Sequence, residues 1–475
     1  MSFLSELEKD TNKSAYTANG AISNQSTLDP LLDFFSNAGA MRGRENEAVN
    51  LFKLAYDVDP QNAIRALFYL RDVRGGQGER SVFRAILDSL DVDTQEKVAK
   101  YIPEYGRWDE VPLTNKTMRA LKVQFEEDEA NMKEGGTVSL LAKWLPSENA
   151  SSEVTKRKAA KLMQAWNLKP SKYRKRVVAL RKHIKLLEQK MSAREWAEIQ
   201  YEKLPTQAHR KHVKAFKRHD ESGYDEYMSK VERGEAKINS GTAYTYEIYN
   251  MALSGDDRTA NAMWKALPDY TKGKNALVLP DVSGSMGWGH STVAPISVSV
   301  SLAIYFAERN KGLFKDYFLS FDSMARLVKV RGTTLSAKIN SVRSSTNHMG
   351  STNLQAAFDA ILKAARASSA TAEEMPSILY IISDMQFNQA THENDETNLE
   401  AAKRKFEEAG YELPHIVFWN VNSYGNEAPA TMYDNKVTLI SGSNQSTFQY
   451  AVAGKTPIES MLDILNSNRY ASISV

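Results

Sequence analysis

Asp281, Ser283 and Ser285 stand two residues apart in "LVLPDVSGSMGWG", directly after a strand-like apolar run. One carboxylate and two hydroxyls are hard oxygen donors of the kind that hold a hard cation, and the glycines that follow turn the chain. A second apolar run, "ILYIISD", ends on Ser383 and Asp384. Between the two runs, "MGSTNLQAAF" places Thr352 in a glycine-led loop just ahead of a helical pattern. The set therefore reads D-x-S-x-S, then T, then D. Taken singly, each piece also fits a strand-to-helix cap, because aspartate and serine are ordinary turn and cap residues. His290, just downstream, reads as a solvated loop histidine rather than a ligand.

The elements around these residues give the set its meaning. From about Asn275 onward, "ALVLP", "FKDYFLSF", "ARLVKV", "SILYIIS", "HIVFWNV" and "KVTLIS" are short runs rich in β-branched and aromatic residues. Between most of them lie helical patterns: "PISVSVSLAIYFAERN", "NLQAAFDAILKAARA" and "NLEAAKRKFEEAG". Strands alternating with helices predict a mostly parallel sheet covered on both faces, and the short gap in "FLSFDSMARLVKV" predicts one antiparallel edge strand. In open sheets of this kind ligands sit beyond the carboxyl ends of the strands, which is where Asp281 and Asp384 fall.

On these motifs the C-terminal part resembles the von Willebrand factor A domain with its metal-ion-dependent adhesion site. The resemblance implies a Rossmann-like fold in which Ser283, Ser285 and Thr352 contact Mg²⁺ or Mn²⁺ directly or through water, while Asp281 and Asp384 act through bound water. Mg²⁺ takes about six oxygens and keeps several waters. A site poor in direct carboxylates leaves positive charge on the ion, which attracts an acidic ligand to the open position.

The preceding portion is different. "ENEAVNLFKLAYDV", "QNAIRALFYLRDV", "RSVFRAILDSL" and "TQEKVAKYI" carry apolar residues at three- and four-residue spacing, separated by "GRENE", "DPQN" and "GGQGER". The pattern is all-helical and suggests stacked helix pairs, a HEAT-like solenoid or ring, without a fixed sequence period. At 475 residues the chain is long for one core. The expected division is 1–272 helical and 273–475 α/β, an α + α/β class overall. No long Gly/Ser/Pro linker separates the two parts, which predicts a shared interface.

Composition excludes several classes. With no cysteine there are no disulfides, thiolate metal sites or cysteine nucleophiles. No apolar run approaches the ~18 residues that span a bilayer. The first residues are acidic and lack the apolar core of a secretory signal, so the expected setting is cytoplasmic, with no membrane partner.

The net charge of +3 hides an uneven distribution. No acid occurs between Glu153 and Glu188, an interval that includes Lys172, Arg174, Lys175, Arg176, Arg181 and Lys182. "HRKHVKAFKRH" then adds Arg210, Lys211, Lys214, Lys217 and Arg218. Trp166, Tyr173 and Phe216 are interleaved with these charges. Basic clusters neutralise phosphates and aromatics stack on bases, the combination used on single-stranded nucleic acid. Equally, lysines line solvated helix faces and such aromatics fill cores. In "LRDVRGGQGER", Arg71 and Arg74 beside three glycines suggest a phosphate loop at a helix start. The structural reading is preferred, because Asp72 and Glu79 offer ion-pair partners and the G-K-[ST] ending of a P-loop is missing.

A helical module followed by an A domain resembles the Ro ribonucleoproteins, whose helical module is called TROVE. Closer still is an uncharacterised Ro-related family of plants, fungi and some viruses. The carrying stretches are "LRDVRGGQGER", "IPEYGRWDE", "YRKRVVALRKHIKLLEQKMSAREWAEIQYEKLP", "AFKRHDESGYDEYMSKVERGEAKIN" and "VFWNVNS". The resemblance implies a ring of helical repeats binding single-stranded or structured RNA. The basic residues named above rest on charge and are not carried over from the family.

No G-x-S-x-G or H-E-x-x-H motif occurs, and the histidines of the basic runs sit among polar-face residues, so a non-enzymatic protein is expected. Two functions follow from the sequence. The first is a Ro-like RNA-binding protein whose A domain binds a divalent cation. The alternative is a metal-dependent protein-interaction or assembly module, in which the bound Mg²⁺ captures an acidic residue of a partner protein.

Overall fold

A computed structural model describes residues 3–287, 293–321, 324–346, 351–389, 396–451 and 453–475. His290 and the glycine leading into Thr352 lie outside the described residues. The chain has an N-terminal helical region and a C-terminal parallel sheet, an α + α/β organisation. The change of secondary structure falls near residue 275, but packing divides the chain elsewhere. One compact unit joins Met1–Ile86 to Ser240–Ser472, and the other comprises Leu87–Asn239 with Ile473–Val475.

In the first unit, a helix over Phe3–Asn12 is followed by a small hairpin of β1 (Ala15–Tyr16) and β2 (Ile22–Ser23); helical periodicity gave no sign of the hairpin. The six predicted strands form as β3 (Ala276–Pro280), β4 (Tyr317–Phe321), β5 (Ala325–Lys329), β6 (Ile378–Ser383), β7 (His415–Asn420) and β8 (Val437–Ser441). β3, β6, β7 and β8 are parallel neighbours in that order. β4 lies alongside β3 through a parallel bridge between Asp281 and Phe321, and β5 pairs antiparallel with β4. Every residue of β3, β6, β7 and β8 is buried, which explains their continuous apolar runs. β5 has one buried position in five, as an edge strand does.

The connection from β3 leads to β4 on one side, while β6 pairs on the other side of β3. The crossover direction therefore reverses between β3 and β6, and in open α/β sheets ligands bind beyond the carboxyl ends of the strands at such a point. The register places Pro280 beside Ile382, so Asp281 follows β3 at the level where Ser383 ends β6.

The first 86 residues share the core of this sheet. Pro30 opens the helix Pro30–Asn37, whose N-cap Asp29 accepts the Leu32 N–H at 2.7 Å. Phe35 of that helix stacks on Tyr69 at 4.9 Å. Ser441, at the end of β8, takes hydrogen bonds from Gly39 N–H (3.1 Å) and the Gln77 amide (2.9 Å). On the sheet itself, Tyr380 and Trp419 meet Phe448, while Phe418 on the opposite face meets Phe387.

The second unit is helical, with Asn115–Lys133, Glu153–Trp166, Pro170–His183, Thr206–His219 and Glu221–Glu232 as its main helices. Phe125, Trp166 and Tyr173 form one aromatic cluster. Tyr201, His209, Phe216, Tyr224 and Tyr227 form another.

Candidate metal centre

Asp281 is fully buried at the end of β3. Its N–H is the last rung of the ladder, donating to Ile382 O at 2.9 Å. Its carboxylate then divides its two oxygens: Oδ1 accepts the Ser283 N–H at 2.9 Å, and Oδ2 accepts the Ser383 hydroxyl at 2.6 Å. The first bond curls the D-x-S-x-S loop back on itself. The loop continues with Ser283 Oγ 3.1 Å from Ser285 Oγ. Asp384 lies one residue beyond Ser383 and is 1% exposed. Its Oδ1 accepts the Gln386 N–H at 3.1 Å. Asp281 and Asp384 thus flank Ser383 at the crossover point, and Ser283 and Ser285 follow Asp281 in the same loop.

Thr352, 1% exposed, is tied to the same region from a third loop. Its carbonyl accepts the Asn388 N–H at 2.9 Å and its own N–H donates to Asn388 Oδ1 at 3.2 Å. Asn388 stands four residues after Asp384, so one short segment links two of the ligand loops. Sequence reasoning missed Ser383 and Asn388 as organisers, and also Tyr424, whose hydroxyl donates to Ser285 O at 3.2 Å. Ser383 stood beside a nominated aspartate, but nothing in its spacing distinguished a bridge from a strand end.

The electrostatics are those of two buried carboxylates close enough to act on each other. Burial raises the pKa of Asp281, against hydrogen bonds from Ser283 and Ser383. Burial, with the Asp281 charge adding to it, pushes Asp384 up to about 7, and hydrogen bonds from Gln386 and Ser285 oppose the rise. Asp384 Oδ2 is buried and makes no hydrogen bond of normal geometry among the described residues. A buried carboxylate oxygen without a partner is costly unless a cation or proton meets it. Hydroxyls and carboxylates as neighbours, with an acceptor left over, fit a hard divalent cation. Among the described residues no group of three or more His, Cys, Asp or Glu gathers in metal-binding array.

The nominated basic residues divide into two kinds. Arg181 is a strut: it donates to the carbonyls of Ala142 (2.8 Å) and Leu145 (2.7 Å) and to Ser147 Oγ (3.2 Å). Arg176 forks onto Glu129 and covers the Phe125 ring, and Arg174, though exposed, pairs with Glu148 at 2.6 Å. Arg210 reaches Gln207 one turn back. Lys172, Lys175, Lys182, Lys211, Lys214, Lys217 and Arg218 are exposed. The interleaved aromatics are core residues: Trp166, Tyr173 and Phe216 are at most 2% exposed, and the Trp166 indole N–H donates to Met118 O at 2.8 Å. They are not placed to stack on bases.

The "RDVRGGQGER" loop also has structural partners, though different ones from those expected. Asp72 pairs with Arg469 and accepts the Tyr470 hydroxyl at 2.9 Å, while Glu79 pairs with Arg42 at 2.6 Å. Gly76 N–H donates to Asp72 O at 3.1 Å, and Asn444 donates to Gly76 O at 2.7 Å.

The matches to known families change over near residue 275, where the secondary structure changes, and not along the two packing units. Residues 275–461, from the start of β3, match a family described as Domain of unknown function (DUF7788). Residues 17–89 and 115–275 match one described as Domain of unknown function (DUF2828). The chain is also similar to an uncharacterized protein of Acanthamoeba polyphaga mimivirus, 27% identical over 479 residues, a match covering 90% of this chain and 82% of the viral protein. Among the described residues no helix is long and apolar enough to cross a membrane.

Proposed function

We propose that the chain is a non-enzymatic binding protein whose α/β portion is a von Willebrand factor A-like domain. In this reading it holds Mg²⁺ or Mn²⁺ among Asp281, Ser283, Ser285, Thr352 and Asp384. The observation that carries the reading is the buried Asp384 Oδ2, which makes no hydrogen bond of normal geometry among the described residues, beside Asp281 at the carboxyl ends of β3 and β6. When bound, the ion supplies a positive charge only partly neutralised by the protein, and that charge receives an acidic group of a partner. The residues themselves position: Ser383 holds the two aspartates in register, and Asn388 fixes Thr352. Fluorescence anisotropy of a labelled polyglutamate peptide tests this. Binding should require Mg²⁺ or Mn²⁺, vanish with EDTA, and be lost in Ser283→Ala. Binding indifferent to EDTA would overturn the reading.

A second reading, RNA binding by a Ro-like helical-repeat region in a cytoplasmic ribonucleoprotein, is favoured by one observation. Eight of the eleven nominated basic side chains, Arg174 among them, are exposed on the helices Pro170–His183 and Thr206–His219. The two readings can hold in one molecule. Co-purifying nucleic acid, seen as raised absorbance at 260 nm, supports the second.

A further inference from the structure

The segment that carries Asp384 and reaches Thr352 is gripped from outside by the N-terminal hairpin. In the β1–β2 turn, Gly20 N–H donates to Thr17 O at 2.9 Å, with Gly20 at φ +83°, a left-handed conformation that favours glycine. The turn then makes three hydrogen bonds to two consecutive residues. Ala18 N–H donates to Gln386 Oε1 at 2.6 Å, Asn19 Nδ2 to Gln386 O at 2.6 Å, and Thr17 Oγ1 to Phe387 O at 2.7 Å. Gly20 also bridges Asn388 in antiparallel fashion.

Two residues of the gripped segment touch the proposed ligands. Gln386 donates its N–H to Asp384 Oδ1, and Asn388 holds Thr352 through both backbone polar groups. Gln386 is further braced by Glu427, to which its amide donates at 2.7 Å. The arm has its own anchors on either side of the turn. Lys9 pairs with Asp434 at 3.1 Å, and Asn24 exchanges backbone hydrogen bonds with Ala428 at 3.1 and 2.9 Å. The turn can therefore be altered without releasing the arm.

We propose that the hairpin turn Thr17–Gly20 is a positioning clamp for the cation site, so that divalent-cation affinity depends on its docking to Gln386–Asn388. The proposal rests on the cation reading given above. Outer-sphere partners of this kind hold ligands in the geometry a small ion requires, and losing them typically weakens metal affinity ~10–100-fold. The arm is thereby a lever: any partner or modification that lifts the turn lowers cation occupancy at a site far along the chain.

The test is calorimetric titration of the full chain with Mn²⁺ alone, in wild type, in Thr17→Val/Asn19→Ala, and in the conservative Thr17→Ser. The double variant should bind Mn²⁺ about 10-fold or more weakly. Thr17→Ser, which keeps the hydroxyl, should bind as wild type does. Thermal melting in EDTA should show the double variant folded, since Asn19 is exposed and the arm keeps its other anchors. Equal Mn²⁺ affinity in wild type and a folded double variant overturns the clamp and leaves the cation site standing. Wild type that binds no Mn²⁺ overturns the cation site, and the clamp with it.

Discussion

Ser383 donates its hydroxyl to Asp281 at 2.6 Å, so the last residue of β6 holds the first carboxylate beyond β3. Asp281 is fully buried, and Ser383 is its partner on Oδ2. Ser383→Ala leaves that oxygen buried without a donor, at a cost of about 1–3 kcal/mol. Urea unfolding in EDTA should show the loss. Millimolar Mg²⁺ should restore part of it, because an ion bound to the folded state alone stabilises it. An unchanged midpoint would contradict the role given to Ser383.

A buried histidine should make the fold acid-sensitive. His415, which opens β7, accepts the Gly454 N–H on Nδ1 at 3.3 Å and so presents Nε2–H to Thr438 Oγ1 at 2.8 Å. Burial, with the charges of Lys274 and Lys436 adding to it, lowers its pKa from 6.5 to about 4. The unfolded chain takes up the proton first as pH falls. The stabilisation is complete above pH 6.5 and is lost progressively toward pH 4. A shift of that size corresponds to roughly 3 kcal/mol. His415→Gln should flatten the stability–pH curve over this interval; an identical slope in both proteins would refute the assignment.

Gly76 marks a close approach of backbone to backbone. A Cβ at this position would lie 1.9 Å from Tyr69 O, the carbonyl that also accepts the Gln77 N–H at 3.0 Å. Gly76→Ala should therefore destabilise by about 2 kcal/mol or more, measured by chemical denaturation, without changing any affinity for phosphate. A stable Gly76→Ala chain that loses RNA binding would return the glycine loop to the phosphate reading.

The strands and the ligand positions were legible because their signals are local. "ALVLP" and "ILYIIS" are unbroken apolar runs that fit strands buried on both faces, and the oxygens follow where such strands end. The long-range ties were not. Nothing in "SAYTANGAIS" indicates that Thr17 and Asn19 reach Phe387 and Gln386, since a polar side chain's partner leaves no periodic mark. The ion pairs of Asp72 and Glu79 were legible as pairs, but the nearby arginines concealed the true partners, Arg469 and Arg42. Likewise charge alone did not separate Arg181, fixed on three acceptors, from exposed Lys182.

That separation sharpens the RNA test. Lys172, Lys175, Lys211 and Lys214 are exposed, so replacing them with glutamine should leave stability within ~0.5 kcal/mol. If they meet phosphate, affinity for single-stranded RNA falls and the salt dependence becomes shallower, by roughly 0.7 in logarithmic slope for each phosphate no longer neutralised. Filter binding across a salt series measures both. A variant that binds as tightly as wild type, with the same slope, would clear these four lysines of the role.

The central claim is that Asp281 and Asp384, brought side by side at the end of β3 and β6, hold a divalent cation with Thr352. Isothermal titration of the full chain with Mn²⁺ tests it most directly, in wild type, Asp281→Ala and Thr352→Ala, each checked for folding by circular dichroism. The account predicts saturable binding at one site in wild type and its loss in both folded variants. No binding to wild type at millimolar Mn²⁺, or undiminished affinity in both variants, would contradict it.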